Sequence, residues 1–389
     1  MHICFLTNEF PKDGFPHGGI GTFVKTIGSA LVKKGLKVSV VGINYVDQDE
    51  THIIDGIKIY RLKKSVVKGF SWYLNSKKIN SKIKAIHKKD PIHIVESSEL
   101  GLAFINKLKD IKYIIRLHGG HHFFAESENR KINKWKGFQE KKSFSKADGF
   151  IAVSQYVKKH TEQYLSYHNK PIAYISNPID TDFFKPIINT QLANKIVFAG
   201  TVCEKKGIRQ LIQAFPYVKK EFPDAALEIY GRDWFYPDGS SYIQMLKEKE
   251  LPQLGEIIKD IHFHGAISYS NIPLAYSEAE VCVFPSHMET QGLVAPEAMA
   301  MGKPVVFTKL GPGPEAIEDF KTGLLCDPYN PKDIAEKIVW LLANKEETEI
   351  IGKNAREFVR EKYSLENNIK QNIDFFNLMI KRELPFTEI

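Results

Sequence analysis

Two doubly wound α/β units follow from three features of the 389-residue sequence: strand-like runs alternate with helical patterns throughout, the length exceeds one core, and the pattern breaks near the middle. Parallel strands buried on both faces read as short apolar runs bounded by turn residues, and a crossover helix separates each from the next. Single hydrophobic cores stop growing at roughly 250–300 residues, so a longer chain divides.

The expected strands of the first half are His2–Thr7, Lys37–Ile43, Ile92–Glu96, Tyr113–Leu117, Gly149–Val153 and Ile172–Ile175. Those of the second half are Ile196–Gly200, Leu227–Gly231, Ile261–Gly265, Val281–Pro285, Pro304–Thr308 and Leu324–Asp327. Such alternation predicts parallel sheets covered by helices on both faces. Pro178, Pro186 and the polar run Asn189–Asn194 interrupt it, which places a junction within Asn177–Lys195. The expected domains are therefore 1–185 and 190–364, with a last helical stretch, Leu365–Lys381, that no strand follows. There is no repeat at solenoid periods and no low-complexity segment.

Composition excludes several classes. An apolar content of 43% with 26% charged residues fits a folded globular chain rather than a disordered one. Cys4, Cys203, Cys282 and Cys326 are scattered without metal-ligand or C-x-x-C spacing, which predicts buried free thiols and a reducing, cytoplasmic setting. No apolar run approaches the length of a membrane span. His2–Leu6 lacks a basic leader and reads as a strand rather than a signal sequence.

The net charge of +8 conceals a division. Residues 1–190 carry 31 Lys and Arg against 17 Asp and Glu, whereas the remainder carries 23 against 29. Basic residues concentrate in two stretches read as helical, one from Lys63 to Lys89 and one from Arg130 to Lys146. Phe70, Trp72, Tyr73, Leu74, Trp135 and Phe138 are interleaved with them. A solvated helix face is the simplest explanation of such runs. The alternative is contact with an anionic membrane, where each Lys contributes about 1 kcal/mol and aromatic rings favour the interface. Nucleic acid would require a reader module or a base-stacking pattern, and neither is present.

The most informative segment runs from Pro285 to Pro304, PSHMETQGLVAPEAMAMGKP. Val281–Phe284 reads as a buried strand, and Pro296 is tolerated only in a first helical turn, so a helix is expected to begin between Gly292 and Ala295. The unsatisfied N–H groups of Gly292, Leu293 and Val294 then face the loop that holds Glu289 and Gln291, a ready anion site at a strand's carboxyl end. Glu297 stands alone among Leu293, Val294, Ala295, Ala298 and Met299, so it requires a partner or a bound ligand. A carboxylate serving only its own helix N-terminus is the plainer reading.

Glu289 and Glu297, eight positions apart across a glycine, resemble the E-x7-E signature of the family-four retaining, nucleotide-sugar-dependent glycosyltransferases. Other landmarks follow in collinear order. His17-Gly18-Gly19-Ile20-Gly21 after the first strand resembles that family's glycine loop, and Arg116-Leu117-His118-Gly119 its strand-end histidine. Ile151–Ser154 and Ile175–Asp180 resemble the segments closing the first domain. Phe198-Ala199-Gly200 with Lys206-Gly207 resembles the diphosphate segment, and Gly313-Pro314-Glu315 with Thr322–Leu325 the late loop. The resemblance spans nearly the whole chain. It implies a GT-B fold: two facing Rossmann-like domains, an interdomain cleft, and a C-terminal helix (within 365–389) that crosses back to the first domain.

By that resemblance, Lys206 is the cation on the leaving diphosphate, Glu289 binds sugar hydroxyls, Glu297 accepts hydrogen bonds from ribose, and His118 contacts the transferred sugar. Gly18, Gly19, Gly200, Thr201, Gln291, Gly292, Leu293 and Val294 complete the donor site. Where the family carries Arg after the glycine at position 200, this chain has Thr201, so the clamp loses a bidentate partner. Lys205, Arg209 and Arg232 are the candidates to replace it. The expected reaction moves a hexose from a UDP- or GDP-sugar to a hydroxyl of a glycan or lipid-linked acceptor in envelope polysaccharide synthesis, at the inner face of a membrane. It is expected to need no cofactor and no metal: Asp47-Gln48-Asp49 spells D-x-D but falls in a polar loop. His121 and His122 read either as an acceptor loop or as surface histidines, and His262 and His264 as edge residues rather than ligands. A nucleotide-sugar epimerase of the same fold and a silent sugar-nucleotide-binding protein are the rival readings. A dehydrogenase is excluded because a G-x-G-x-x-G run should directly follow the first strand.

Overall fold

The computed structural model describes residues 1–12, 19–128, 130–188 and 190–381. The chain forms two units, Met1–Pro178 with the closing segment from Leu365, and Ile179–Ser364.

Unit 1 contains β1 (His2–Leu6), α1 (Gly19–Lys33), β2 (Lys37–Asn44), β3 (Glu50–Ile54), β4 (Ile57–Lys63), α2 (Ser71–Lys89), β5 (Ile94–Ser97), β6 (Lys112–Leu117), α3 (His121–Ser127), α4 (Lys134–Lys146), β7 (Gly149–Ala152), α5 (Gln155–Glu162) and β8 (Ile172–Tyr174). Its eight strands lie in the order β3-β4-β2-β1-β5-β6-β7-β8. Every pair is parallel except β3 with β4. The apolar stripe of α1, with Phe23, Val24, Ile27 and Leu31, packs into the same core as Ile3, Val40, Ile94 and Ile114.

The antiparallel pair β3–β4 is a hairpin that strand-and-helix alternation does not foretell. Its signal is nonetheless local: Asp55 and Gly56, at φ 50° and 78°, form the two-residue turn between alternating apolar residues that favours a tight hairpin. Lys63 accordingly ends a strand, and the basic helix starts at Ser71 rather than at Lys63. Asp49 is a structural residue, accepting from the Lys63 N–H at 2.7 Å.

Unit 2 contains β9 (Lys195–Ala199), α6 (Ile208–Glu221), β10 (Ala226–Tyr230), α7 (Tyr242–Lys249), β11 (Ile261–Gly265), α8 (Ile272–Glu278), β12 (Val281–Phe284), α9 (Val294–Ala300), β13 (Val305–Thr308), α10 (Gly313–Ala316), β14 (Leu324–Cys326), α11 (Pro331–Ala343) and α12 (Lys345–Lys362). The order β11-β10-β9-β12-β13-β14 is wholly parallel and reverses direction between β9 and β12. Ligands of such sheets bind at that reversal, beyond the strands' carboxyl ends.

The boundary falls at Pro178 rather than at 185. Ile179 donates its N–H to the Tyr363 carbonyl at 2.8 Å, and Ile179 and Phe184 are buried in the core of unit 2. The closing helix α13 (Leu365–Lys381) belongs to unit 1, where Ile369, Phe375, Phe376 and Met379 enter the core. Its polar face is tied down as well: Arg116 donates to Asn372 Oδ1 at 2.5 Å, and Asn368 donates to the Ser176 carbonyl. All four cysteines are free and buried. Among the described residues no helix is long and apolar enough to cross a membrane.

Candidate active site

Two loops leave the carboxyl ends of β9 and β12 at the strand-order reversal and are bound to each other. The first begins at Gly200, whose N–H donates to the Tyr230 carbonyl at 2.9 Å, while Val202 N–H donates to the Arg232 carbonyl at 2.9 Å. This pairing continues β10 and lays Arg232 beside Thr201, Nε to Oγ1 at 3.4 Å. A single 3₁₀ turn, Glu204–Lys206, follows. It ends at Gly207, which has φ 69° and whose missing Cβ would collide with the Pro285 carbonyl, so no other residue fits. His287 N–H donates to the Lys205 carbonyl at 2.9 Å and completes the join.

That join sets Lys206 Nζ directly on Glu289 Oε1 as an ion pair. The two side chains retain 21% and 10% of their exposure, so the pair is accessible to a ligand. Behind it, Gly292 has φ 75°, and a Cβ there would lie 2.6 Å from the Phe307 ring and 3.3 Å from Glu289 Cγ. The turn therefore brings the start of α9 close behind the Glu289 carboxylate. The N–H groups of Gly292, Leu293 and Val294 make no backbone hydrogen bond among the described residues, as a helix start requires. Gln291 is buried in the same loop. Pro296 occupies the first turn, as its ring demands.

Glu297 lies in a buried helix beside Tyr276. Burial pushes its carboxyl up to about 7, opposed by the Tyr276 hydroxyl. Of the three cations proposed to compensate for Thr201, Arg232 lies against that threonine. Arg209 is committed to Glu204 through Nε and Nη2 at 3.0 and 2.6 Å. Glu204 also accepts from the Tyr242 hydroxyl at 2.6 Å and from Gln210 at 3.1 Å. Burial raises the Glu204 carboxyl, but these donors outweigh it and hold it down to about 2. This buttress beneath the Lys206 turn has no local sequence signal, because Tyr242 arrives from a separate helix. Ser286 Oγ and His287 Nε2 are buried without a hydrogen-bond partner among the described residues, polar capacity left open in the joining loop itself.

Gly19 and His118 belong to unit 1, and Gly18 lies outside the described residues. His118 follows β6, with Phe23 of α1 at 5.3 Å from its ring. Burial, then the Arg116 charge, push its imidazole down to about 3, so it is neutral near pH 7. The following loop rests on two carboxyls that sequence reasoning missed. Glu99 accepts the Gly119 N–H at 2.7 Å. Glu140, fully buried, accepts the N–H of His121 and pairs with the ring of His122. His121 and His122 are thus buried loop supports rather than surface residues. Burial pushes Glu99 up to about 8, with the neighbouring Glu140 adding to it against the backbone donors. His262 and His264 lie on edge strand β11, both paired with Glu228. Among the described residues no cluster of three His, Cys, Asp or Glu is placed to hold a metal ion.

Comparison with known proteins agrees with this geometry. The sequence profile described as Glycosyltransferase Family 4 matches residues 17–183, and that described as Glycosyl transferases group 1 matches 180–358. The chain is 27% identical to an uncharacterised glycosyltransferase of Methanocaldococcus jannaschii over 98% of this chain and 99% of the other. Sucrose-phosphate synthase of Thermosynechococcus elongatus superimposes with a TM-score of 0.83 at 21% identity, over 97% and 98% of the two chains. Anabaena HepE in complex with UDP-glucose superimposes with a TM-score of 0.76 at 17% identity, over 97% and 100%.

Proposed function

The chain belongs to the family-four glycosyltransferases of the GT-B fold, and from that membership we propose that it is a retaining enzyme that moves a hexose from a UDP- or GDP-sugar to a hydroxyl of an envelope glycan or lipid-linked acceptor. The observation that carries this reading is the Lys206–Glu289 ion pair at the β9/β12 reversal, with Arg232 beside Thr201. Negative charge grows on the diphosphate as the anomeric bond breaks, and preorganised donors at that position lower the barrier. Lys206 and Arg232 supply the cations, and the N–H groups of Gly292, Leu293 and Val294 supply dipoles without reorganisation. Glu289, once Lys206 turns to phosphate, accepts from sugar hydroxyls, and Glu297 accepts from the ribose. Gly19, Gly200 and Gln291 shape the donor pocket, and His118, neutral, contacts the transferred sugar.

Nothing in the sequence resembles an inverting enzyme's base, and the mechanism proposed is attack from the departing side. The bond from the anomeric carbon to the diphosphate oxygen breaks, the acceptor oxygen bonds to the same face, and its proton passes to the departing phosphate oxygen. No metal enters this scheme. The basic balance of residues 1–190 supports an acidic or lipid-linked acceptor and peripheral contact with an anionic membrane. A thermal-shift panel of nucleotide sugars identifies the donor, and NMR of the product then reads the anomeric configuration. Retention of the donor's configuration is expected; an inverted product overturns the mechanism.

A further inference from the structure

A recess of about 650 Å³ runs between α2 and α4 in unit 1; neither His118 nor its loop lines it, and none of the roles above uses it. Small-ligand clefts fall in the same range of about 300–1,000 Å³. One wall is a single stripe of α2 that includes Tyr73, Lys77, Asn80 and Lys84 at helical spacing. From Trp72 to Lys84 that stripe extends about 18 Å at the α-helical rise, so the recess is long rather than round.

Trp72, Tyr73 and Phe104 line its aromatic part, and Trp135 and Phe138 extend that cluster beyond the recess. Trp72 meets Phe104 at 4.6 Å, Phe104 stacks on Trp135 at 5.7 Å, and Trp135 stacks on Phe138 at 5.8 Å. The rings cover one another and not a core: Trp72, Trp135 and Phe138 remain 43%, 46% and 50% exposed. Its charged lining is wholly basic. Lys77, Lys84, Lys142 and Lys146 line the recess and no acidic residue does. Lys142 Nζ lies over the Phe104 ring at 4.7 Å, and Lys146 Nζ donates to the Ile105 carbonyl at 2.6 Å. Lys77 and Lys84 have no ion-pair partner among the described residues. The whole of α2 contains no Asp or Glu, so nothing on that helix neutralises them.

We propose that this recess is a secondary binding groove for an anionic glycan chain, with a sugar face stacked on Trp72 and the chain's carboxylates or phosphates on Lys77 and Lys84. Exposed aromatic faces offer apolar area with little entropy cost, and unpaired ammonium groups complement acidic substituents. A bilayer is the poorer occupant, because a flat surface meets protrusions and the two free ammonium groups lie along a trough. The inference extends the acceptor reading above, by giving a growing acidic polymer a second hold on the enzyme.

The test uses the full chain and a size-defined oligogalacturonide, compared with its methyl-esterified neutral form and with phosphatidylglycerol vesicles. Calorimetry is expected to show saturable binding of the acidic oligosaccharide that weakens with salt and exceeds that of the neutral ester. The double variant Lys77→Gln/Lys84→Gln is expected to weaken it by about tenfold, two exposed charge contacts of up to about 1 kcal/mol each. Donor hydrolysis, read in parallel, keeps its rate in that variant and reports separately on the transferase reading. Trp72→Ala, checked for an unchanged unfolding midpoint, is expected to weaken both oligosaccharides. The proposal is overturned if the acidic oligosaccharide does not bind, if the double variant binds it equally well, or if only the vesicles bind and the same variant abolishes that.

Discussion

Unit 2 keeps its ion pair at the strand ends accessible, whereas unit 1 seals a corresponding pair inside its sheet. Lys206 and Glu289 are 21% and 10% exposed; Arg116 and Glu96 are 1% and 3% exposed. Arg116 holds Glu96 through Nε at 2.7 Å and Nη2 at 3.2 Å, and it also reaches Asn372 of α13. A sealed pair cannot exchange its partner for a ligand, because separating buried charges costs several kcal/mol. An accessible pair can, because solvent and ligand compensate each group as it moves. The same chemistry therefore anchors the last helix in one unit and stays open to solvent at the strand ends in the other.

Arg116→Met breaks the comparison most severely. It leaves Glu96 buried without its cation and releases Asn372, and about 3–5 kcal/mol of stability is expected to be lost in urea unfolding. A loss below about 1 kcal/mol would mean that the sealed pair does not anchor the fold. Lys206→Ala comes next and acts on the other quantity. Turnover is expected to fall about 10²–10³-fold, as for removal of one preorganised donor, while stability changes by less than about 1 kcal/mol. Steady-state kinetics beside the same urea series separates the two effects, and a variant that loses stability without losing turnover would reverse the assignment.

The smallest effect concerns protonation, and it is present in both units. Glu297 and Glu99 have folded values near 7 and near 8, above the ordinary 4.5, so the folded chain binds their protons more tightly than the unfolded one. Their contribution to stability is complete below about pH 4.5 and declines as pH rises, through about 7 for Glu297 and about 8 for Glu99. Glu297→Gln is expected to flatten the unfolding midpoint against pH over the narrower window, and Glu99→Gln over the wider one. Slopes unchanged from the parent chain would show that neither carboxyl holds its proton in the folded state.

Much of this architecture was legible locally. Each of the twelve anticipated strands is present, within a residue or two at its ends, because parallel strands buried on both faces announce themselves as apolar runs. The start of α9 was legible from Pro296, whose ring permits only a first turn. The hairpin at 50–63 was legible too, from Asp55-Gly56, but a reading tuned to strand-and-helix alternation passes over an antiparallel pair. The boundary at Pro178 was less so, since Ile179 joins unit 2 through its bond to Tyr363 and its burial in that core, both made by residues far along the chain.

By itself, the sequence determined the two units, their strands and the residue types at the donor loops, since each depends on local periodicity and turn chemistry. It also determined that Thr201 lacks a cation, but left three candidates to supply one. Tertiary structure alone placed Arg232 beside that threonine, because pairing of the 200–202 loop with the end of β10 sets which side chain lies there. It alone committed Arg209 to Glu204, placed Glu99 and Glu140 beneath the His118 loop, and aligned Trp72 with Trp135. The physical reason is common to all four. Short-range sterics act between neighbours in sequence, whereas a hydrogen bond, a buried charge or a stacked ring depends on groups that only the folded chain brings within a few ångströms.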